Sequence, residues 1–223
     1  MNIHFPDKNM NATFLKLGKT RQNEILDAAA SVFAANGYNG ANIPEICSQA
    51  GISIGALYKY FNNKEAVFVA VLKRMGDLLA SEFYGKIEID KTSILATIED
   101  ILTEMTFSQR FQQYKQYFIL YLDIGSYSLN GFAESISGRF ENIGQEFYYS
   151  LVEKFKKKGQ IKKEINSDLA AYFIDSHITL YAYTLVSKHH LIRFDKFFKN
   201  FGSKLTGKQR IKIIIDSIEM ILK

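Results

Sequence analysis

Apolar residues recur along most of this chain at three- and four-residue steps, interrupted at a few short polar or glycine-containing breaks. Ile25, Ala28, Ala29, Val32 and Phe33 mark one amphipathic helix between Thr20 and Asn36, closed by Gly37. Ile43, Ile46, Cys47 and Ala50 mark a second. Asn42 stands where an N-cap belongs, Glu45 completes a capping-box spacing, and Pro44 falls in the first turn, where a missing N–H costs nothing. Gly51 follows at the place of a left-handed C-terminal residue. Ser53 then caps a third short helix, with Leu57, Tyr58 and Phe61 as its inward candidates. Two short helices across a tight glycine turn predict a helix-turn-helix between Asn42 and Glu65.

The pattern continues to the end of the chain. Val67, Phe68, Val71, Leu72, Met75 and Leu79 predict a longer helix over Lys64–Phe83, and Gly85–Lys91 reads as a loop. Thr92 or Ser93 caps a helix through Thr106, and Phe111, Tyr114, Tyr117, Phe118 and Tyr121 share one side of an aromatic helix. Phe132, Ile136, Phe140, Ile143, Phe147, Leu151 and Phe155 predict one long helix ending in Lys156-Lys157-Lys158-Gly159, cations at the negative end of the helix dipole. Ser167 caps a helix to about Lys188 that is apolar around most of its girth. Arg193–Phe201 is an aromatic connector with Phe194, Phe197, Phe198 and Phe201 on one face, and Thr206–Leu222 is the last helix. The fold class is therefore all-α with about nine helices. A flexible arm (1–18) precedes a trihelical helix-turn-helix domain (19–66) and a helical domain (67–223). The Lys64 helix crosses the boundary as a lever.

Composition sharpens this picture at three points. Both prolines precede residue 45, which leaves the remainder free of helix breakers. The net charge of +5 and pI near 9.0 permit an anionic partner without requiring one. The single cysteine, Cys47, excludes an internal disulfide, suits a reducing compartment and reads as a small buried residue. Met1–Leu17 lacks the apolar core of a secretory signal, and no apolar run approaches the roughly 18–20 residues of a membrane span, so a cytoplasmic protein with no membrane contact is expected.

Catalytic constellations are weak. Gly51-Ile52-Ser53-Ile54-Gly55 matches the G-x-S-x-G spacing of serine hydrolases, but a helix precedes the serine where that motif needs a strand. His189 and His190 are adjacent and point to different helix faces, and no cysteine or carboxylate joins them or His177 at metal-ligand spacing. No phosphate-loop or dinucleotide motif is present, and the lysines at 154–163 read as a solvated helix end. No cofactor, metal or enzymatic activity is expected.

Arg21–Phe68 resembles the N-terminal domain of the TetR family of bacterial transcriptional repressors. Ile25-Leu26-Asp27-Ala28-Ala29, Val32-Phe33-Ala34, Gly37-Tyr38, Glu45-Ile46-Cys47, Ala50-Gly51-Ile52-Ser53, Gly55-Ala56-Leu57-Tyr58-Lys59-Tyr60-Phe61 and Asn63-Lys64-Glu65 carry the likeness, over roughly a fifth of the chain. The resemblance implies a ligand-responsive homodimer that binds a palindromic operator in double-stranded DNA and releases it on binding a small lipophilic or aromatic effector. It places Ser53, Ile54, Gly55, Ala56, Tyr58, Lys59 and Tyr60 in the recognition segment, with Lys64 and Asn42 gripping phosphates. Many family members carry a basic or polar residue where this chain has Pro44, which removes one phosphate contact. The effector is expected among the aromatic helices, near Phe107, Phe111, Tyr114, Phe118, Phe140, Phe147, His177 and Tyr181. The last two helices usually pair across a two-fold axis, which points to Ile174, Ile178, Leu185, Ile211, Ile214, Ile215 and Ile218. The rival reading is a helical interaction or enzymatic module with an incidental trihelical start.

Overall fold

The computed structural model describes residues 10–89, 92–125, 127–198 and 204–222, of which 127, 128, 130 and 133–141 are described by their backbone alone. Among these residues there is no strand. The helices are α1 (Ala12–Leu15), α2 (Lys19–Gly40), α3 (Ile43–Ala50), α4 (Ile54–Tyr60), α5 (Lys64–Leu78), α6 (Ile94–Phe107), α7 (Gln109–Gln113), α8 (Lys115–Ile124), α9 (Ala133–Lys157), α10 (Ser167–Val186), α11 (Lys188–Phe197) and α12 (Gly207–Leu222). They gather into two compact units. One holds the described residues up to Glu82 together with Gln116–Arg139; the other holds Phe83–Lys115 and the described residues from Phe140 onward.

In the first unit α2 and α5 bury facing apolar stripes, with Ile25, Ala29, Val32 and Phe33 on one and Val67, Phe68, Val71 and Met75 on the other. The unit departs from a simple cut near residue 66, because Tyr117 and Phe132 belong to it. Phe132 sits 4.9 Å from the Tyr38 ring and 5.0 Å from the Phe68 ring, both edge-on. Tyr117 of α8 is 2% exposed and donates to Asp27 Oδ1 of α2 at 2.6 Å. Arg74 of α5 completes the group. Its Nε and Nη2 donate to the two Asp27 oxygens at 2.6 and 2.9 Å, and Nε also lies 3.0 Å from the Tyr117 hydroxyl. Burial, with the Asp27 charge beside it, pushes the Tyr117 phenol well above its usual value, so it remains a donor.

Residues 10–18 of the predicted flexible arm take a defined fold. Phe14 of α1 is fully buried, its ring 4.7 Å from Phe61 and 5.7 Å from Tyr60, and the Asn11 N–H donates to the Tyr60 carbonyl at 2.9 Å. The lever is also shorter than its periodicity suggests. Regular helix ends at Leu78, and Leu79–Phe83 forms a wider π turn followed by a 3-10 turn at Tyr84–Lys86.

The second unit is a bundle in which α6, α10 and α12 bury Ile98, Ile101, Met105, Ile174, Ile178, Ile211, Ile214 and Ile218, while α9 contributes Tyr148, Leu151, Val152 and Phe155. Ser93 caps α6 by accepting from the Ala96 N–H, and Asn166, one residue before the expected Ser167, caps α10 by accepting from Leu169. The aromatic segment is two helices rather than one, broken where Tyr114 leaves helical geometry at φ −109° and ψ 16°. The connector forms α11, capped by Ser187; Phe201 lies outside the described residues. A side chain at Gly207 would meet Thr106 Cγ2 at 2.9 Å and Phe107 Cζ at 3.0 Å, so the bare position lets α12 come close to the end of α6.

One expectation is overturned by burial. Ile174, Ile178, Ile211, Ile214 and Ile218 are at most 5% exposed within the single chain, so they cannot meet a second copy. Leu185 and Ile215 are half-buried. The outward apolar residues of α10 are instead Leu169, Tyr172, Phe173 and Leu180, at 54%, 67%, 38% and 53% exposure. A helix apolar on every side gives no sign of which side its neighbours take.

The Asp27–Arg74–Tyr117 group predicts two graded losses of stability in urea unfolding. Arg74→Met should cost about 2 kcal/mol, below the 3–5 of a fully buried pair because the Asp27 side chain is 36% exposed. Tyr117→Phe should cost about 1 kcal/mol, the worth of one hydrogen bond.

Candidate nucleic-acid interface

The helix-turn-helix is assembled from local signals. Asn42 Oδ1 accepts from the Glu45 N–H at 2.9 Å, and the Glu45 carboxylate answers by accepting from the side-chain amides of Asn42 and Asn36. Gly51 then turns the chain at φ 62° and ψ 43°, and the Ile52 N–H returns to the Cys47 carbonyl at 3.0 Å. Ser53 Oγ accepts from the Ala56 N–H at 3.1 Å and starts α4. On its inner side α4 buries Leu57, and Phe61 just beyond it, both completely. Cys47 is buried too, and burial pushes its thiol up, away from reactivity.

Long-range contacts secure this motif at points that the sequence pattern did not reveal. The Arg21 guanidinium donates to the Ala50 carbonyl at 2.9 Å and the Gly51 carbonyl at 3.3 Å, covering the open end of α3. Lys64 was expected to grip phosphate. Its ammonium donates to the carbonyls of Tyr38 (2.8 Å), Asn39 (3.3 Å) and Ala41 (3.1 Å) and lies 4.8 Å from the Tyr38 ring centre, so it ties α5 to the end of α2 and the residue after it. Tyr60 is likewise turned toward Phe14 and half-buried.

What remains outside is one face of α4. Ser53, Ile54, Gly55, Tyr58 and Lys59 are exposed, Ile54 and Tyr58 at 46% and 50%; Ala56 is half-buried, and Asn42 is exposed at the neighbouring helix start. Two large apolar side chains in water beside a cation form an unusual surface for a domain with its own core. Gly55 is the most telling position. A Cβ there would approach nothing closer than Ser53 Oγ at 4.0 Å, so the fold has no need of glycine, although glycine costs a helix about 1 kcal/mol relative to alanine. The bare backbone leaves room for another molecule to come close. A helix start with a hydroxyl, an aliphatic side chain, a phenol and a lysine can meet phosphates and thymine methyls in a major groove.

The expected effector residues are less gathered. Tyr181 is buried and its hydroxyl lies 2.6 Å from Thr106 Oγ1; Phe111 is buried; Phe107 is 56% exposed and rests on Gly207. Phe147 joins Tyr84 at 4.7 Å and Tyr148 at 5.1 Å, and His177 Nδ1 lies 2.7 Å from the Phe173 carbonyl of its own helix. Tyr114 belongs to the second unit and Phe118 to the first, both half-buried; the Phe140 side chain lies outside the described residues. None of them lines the groove bordered by Phe83, Asp100 and Arg110 or the one bordered by Tyr149, Glu153 and Lys157.

Residues 25–71 match the sequence model of the family described as bacterial regulatory proteins, tetR family. The chain is 36% identical over 66 residues to the fatty acid metabolism regulator protein of Bacillus subtilis (strain 168), a match covering 29% of this chain and 34% of that one. It is 25% identical over 154 residues to the HTH-type transcriptional repressor KstR2 of Rhodococcus jostii (strain RHA1), covering 69% and 74%. The fold is shared with AibR, whose structure is in complex with isovaleryl coenzyme A and operator DNA. That likeness has a TM-score of 0.61 at 17% identity and covers 88% of this chain and 97% of that one. No helix of the described residues is long and apolar enough to cross a membrane.

Three substitutions separate structure from recognition. Gly55→Ala should raise stability, by up to about 1 kcal/mol in thermal unfolding, and weaken DNA binding in fluorescence anisotropy. Lys64→Ala should lower the melting temperature, whereas Lys59→Ala should leave it unchanged and weaken binding to DNA.

Proposed function

We infer that this member of the TetR family of bacterial regulatory proteins is a homodimeric, ligand-responsive repressor that reads a palindromic operator through α4. The observation that carries this reading is the exposed face of α4 with its bare position at Gly55. Ile54 and Ala56 meet thymine methyls, Lys59 reaches guanine or phosphate, and the Ser53 and Tyr58 hydroxyls contact the backbone. Asn42 lies at the adjacent helix start and adds a phosphate contact. Arg21 and Lys64 hold the motif without touching DNA.

The dimer seam is the outward apolar face of α10, where Leu169, Tyr172, Phe173 and Leu180 repeat at helical spacing. Water-exposed aromatic and leucine side chains in one stripe are the usual mark of an interface. Two copies then present their recognition helices to successive major grooves, about 34–36 Å apart. The effector is a small lipophilic molecule taken up by the aromatic helices. The acyl chain of an acyl thioester of coenzyme A, the class of molecule held in the structure of AibR, would supply that lipophilic part. Release of the operator requires only that the ester bind better to the conformation that does not fit DNA.

Binding to the DNA upstream of the protein's own gene, at two salt concentrations, tests the reading. We expect selective binding that weakens with salt, and a slope against log salt that falls by about one in Lys59→Ala. Weak binding to any sequence, indifferent to Lys59→Ala, would remove α4 from the interface. For the seam, the double substitution Tyr172→Glu with Leu180→Glu should convert a dimer to a monomer in sedimentation while leaving helix content intact.

A further inference from the structure

The chain leading into α2 is fastened at both ends of α4. At the far end, the Asn11 side-chain amide donates to the Lys59 carbonyl at 3.2 Å and its backbone N–H to the Tyr60 carbonyl at 2.9 Å. These carbonyls belong to the last turn of α4, where acceptors find no partner within the helix. Phe14 of α1 fixes the same end by burying its ring against Tyr60 and Phe61. At the near end, Arg21 reaches the Ala50 and Gly51 carbonyls just ahead of α4. The Gln22 amide donates to the Leu15 and Leu17 carbonyls at 3.3 and 2.8 Å and joins α1 to the start of α2. Residues 11–21 therefore border α4 along its length, which for seven residues is about 10 Å.

What this strip leaves in water is cationic. Phe14 enters the core beside Phe61, and Lys16, two positions further and about 200° round the helical turn, is exposed. Lys19 and Thr20 at the start of α2 are exposed as well. Residues 10–20 and 46–63, which make the strip and the chain from α3 to the cap of α5, contain no aspartate or glutamate. Lys16, Lys19 and Lys59 thus stand on acid-free chain. The acids nearest in sequence are engaged: Glu24 pairs with Arg21 at 2.7 Å, and Glu45 accepts from the amides of Asn36 and Asn42. A surface with cations and no counter-charges of its own attracts a polyanion.

We propose that residues 11–19 are a second part of the DNA interface, in which Lys16 and Lys19 hold backbone phosphates while Asn11 and Phe14 position the end of α4 that carries Lys59. This rests on α4 being the recognition helix. A helix with its side chains is about 10–12 Å across and fills a major groove of about 12 Å, so chain running along its flank is left at the rim, where the phosphates are. Lysine, a mobile point charge, suits a contact that sets register and carries no base information. Asn11 and Phe14 touch no DNA and act through Lys59 and Tyr60.

The test is fluorescence anisotropy of the full chain over a range of salt on two duplexes, the DNA upstream of the protein's own gene and a scrambled sequence of equal length. The double variant Lys16→Gln with Lys19→Gln is compared with wild type and with Lys59→Ala. A control, Lys162→Gln with Lys163→Gln, removes the same charge from exposed positions outside the first unit. The first pair should reduce the slope of log affinity against log salt by about two, alike on both duplexes and with no change in melting temperature; the control pair should leave the slope as it is. Asn11→Ala should weaken binding to the upstream duplex severalfold, and add nothing once Lys59 is replaced by alanine, the coupling of a positioning residue. A merely structural Asn11 would weaken both backgrounds equally. Equal slopes lost by the two lysine pairs would overturn the proposal, as would a first pair that alters the preference for one duplex over the other. A slope lowered by Lys59→Ala and not by the first pair excludes the strip and keeps α4 as the reading helix. A slope lowered by neither removes both.

Discussion

A helix of seven residues has almost no stability of its own in water, and α4 is such a helix. Its orientation is therefore imposed from outside, and much of the first unit follows from that constraint. Leu57 and Phe61 are its anchors in the core. Ser53 satisfies its first turn, and Gly51 sets the angle at which it leaves α3. Arg21 covers the carbonyls at that turn, Lys64 ties the following helix to the end of α2, and α1 closes over Phe61 through Phe14. Each contact leaves the opposite face of α4 untouched. A short, over-determined helix with one free face suits reading a groove, because binding then orders little that was not already ordered.

The same unit includes chain from well beyond the helix-turn-helix. Tyr117 and Phe132 join α2 and α5 through a polar group and an aromatic cluster respectively. The polar group is directional: Asp27 accepts from both Arg74 and Tyr117, and no shifted register of the three helices would satisfy all of them. The chain thus passes out of this unit and back into it, so α7 and α9 have covalent routes to the helix-turn-helix unit besides α5. The end of α5 in a π turn also limits how far regular helix can act as a rigid lever.

Charge is divided by task in a way that its total conceals. Cations near the motif, Arg21 and Lys64, neutralise helix-end carbonyls. Lys59 is left to face outward. The surplus lies at the end of α9 and in the turn after it, where Lys157, Lys158, Lys162 and Lys163 are exposed. A modest net charge therefore says little about where an anion is met.

The local signals were legible in the residues alone: the helix periods, the caps at Asn42, Ser53 and Ser93, the glycine turn, and the family resemblance of the helix-turn-helix. These depend on neighbours within a turn or two, whose chemistry is the same in any fold. Tertiary structure decided the rest. Whether Lys64 met phosphate or carbonyl depended on a partner 23–26 residues away, and Tyr117 found Asp27 across 90 residues. The side of α10 left in water was also undecided, because an all-apolar helix offers every face to the core; α6 and α12 took the isoleucines and left Leu169, Tyr172, Phe173 and Leu180 outside. Periodicity identifies helices, and only packing chooses among their faces, because burial is a property of neighbours that spacing along one chain does not name.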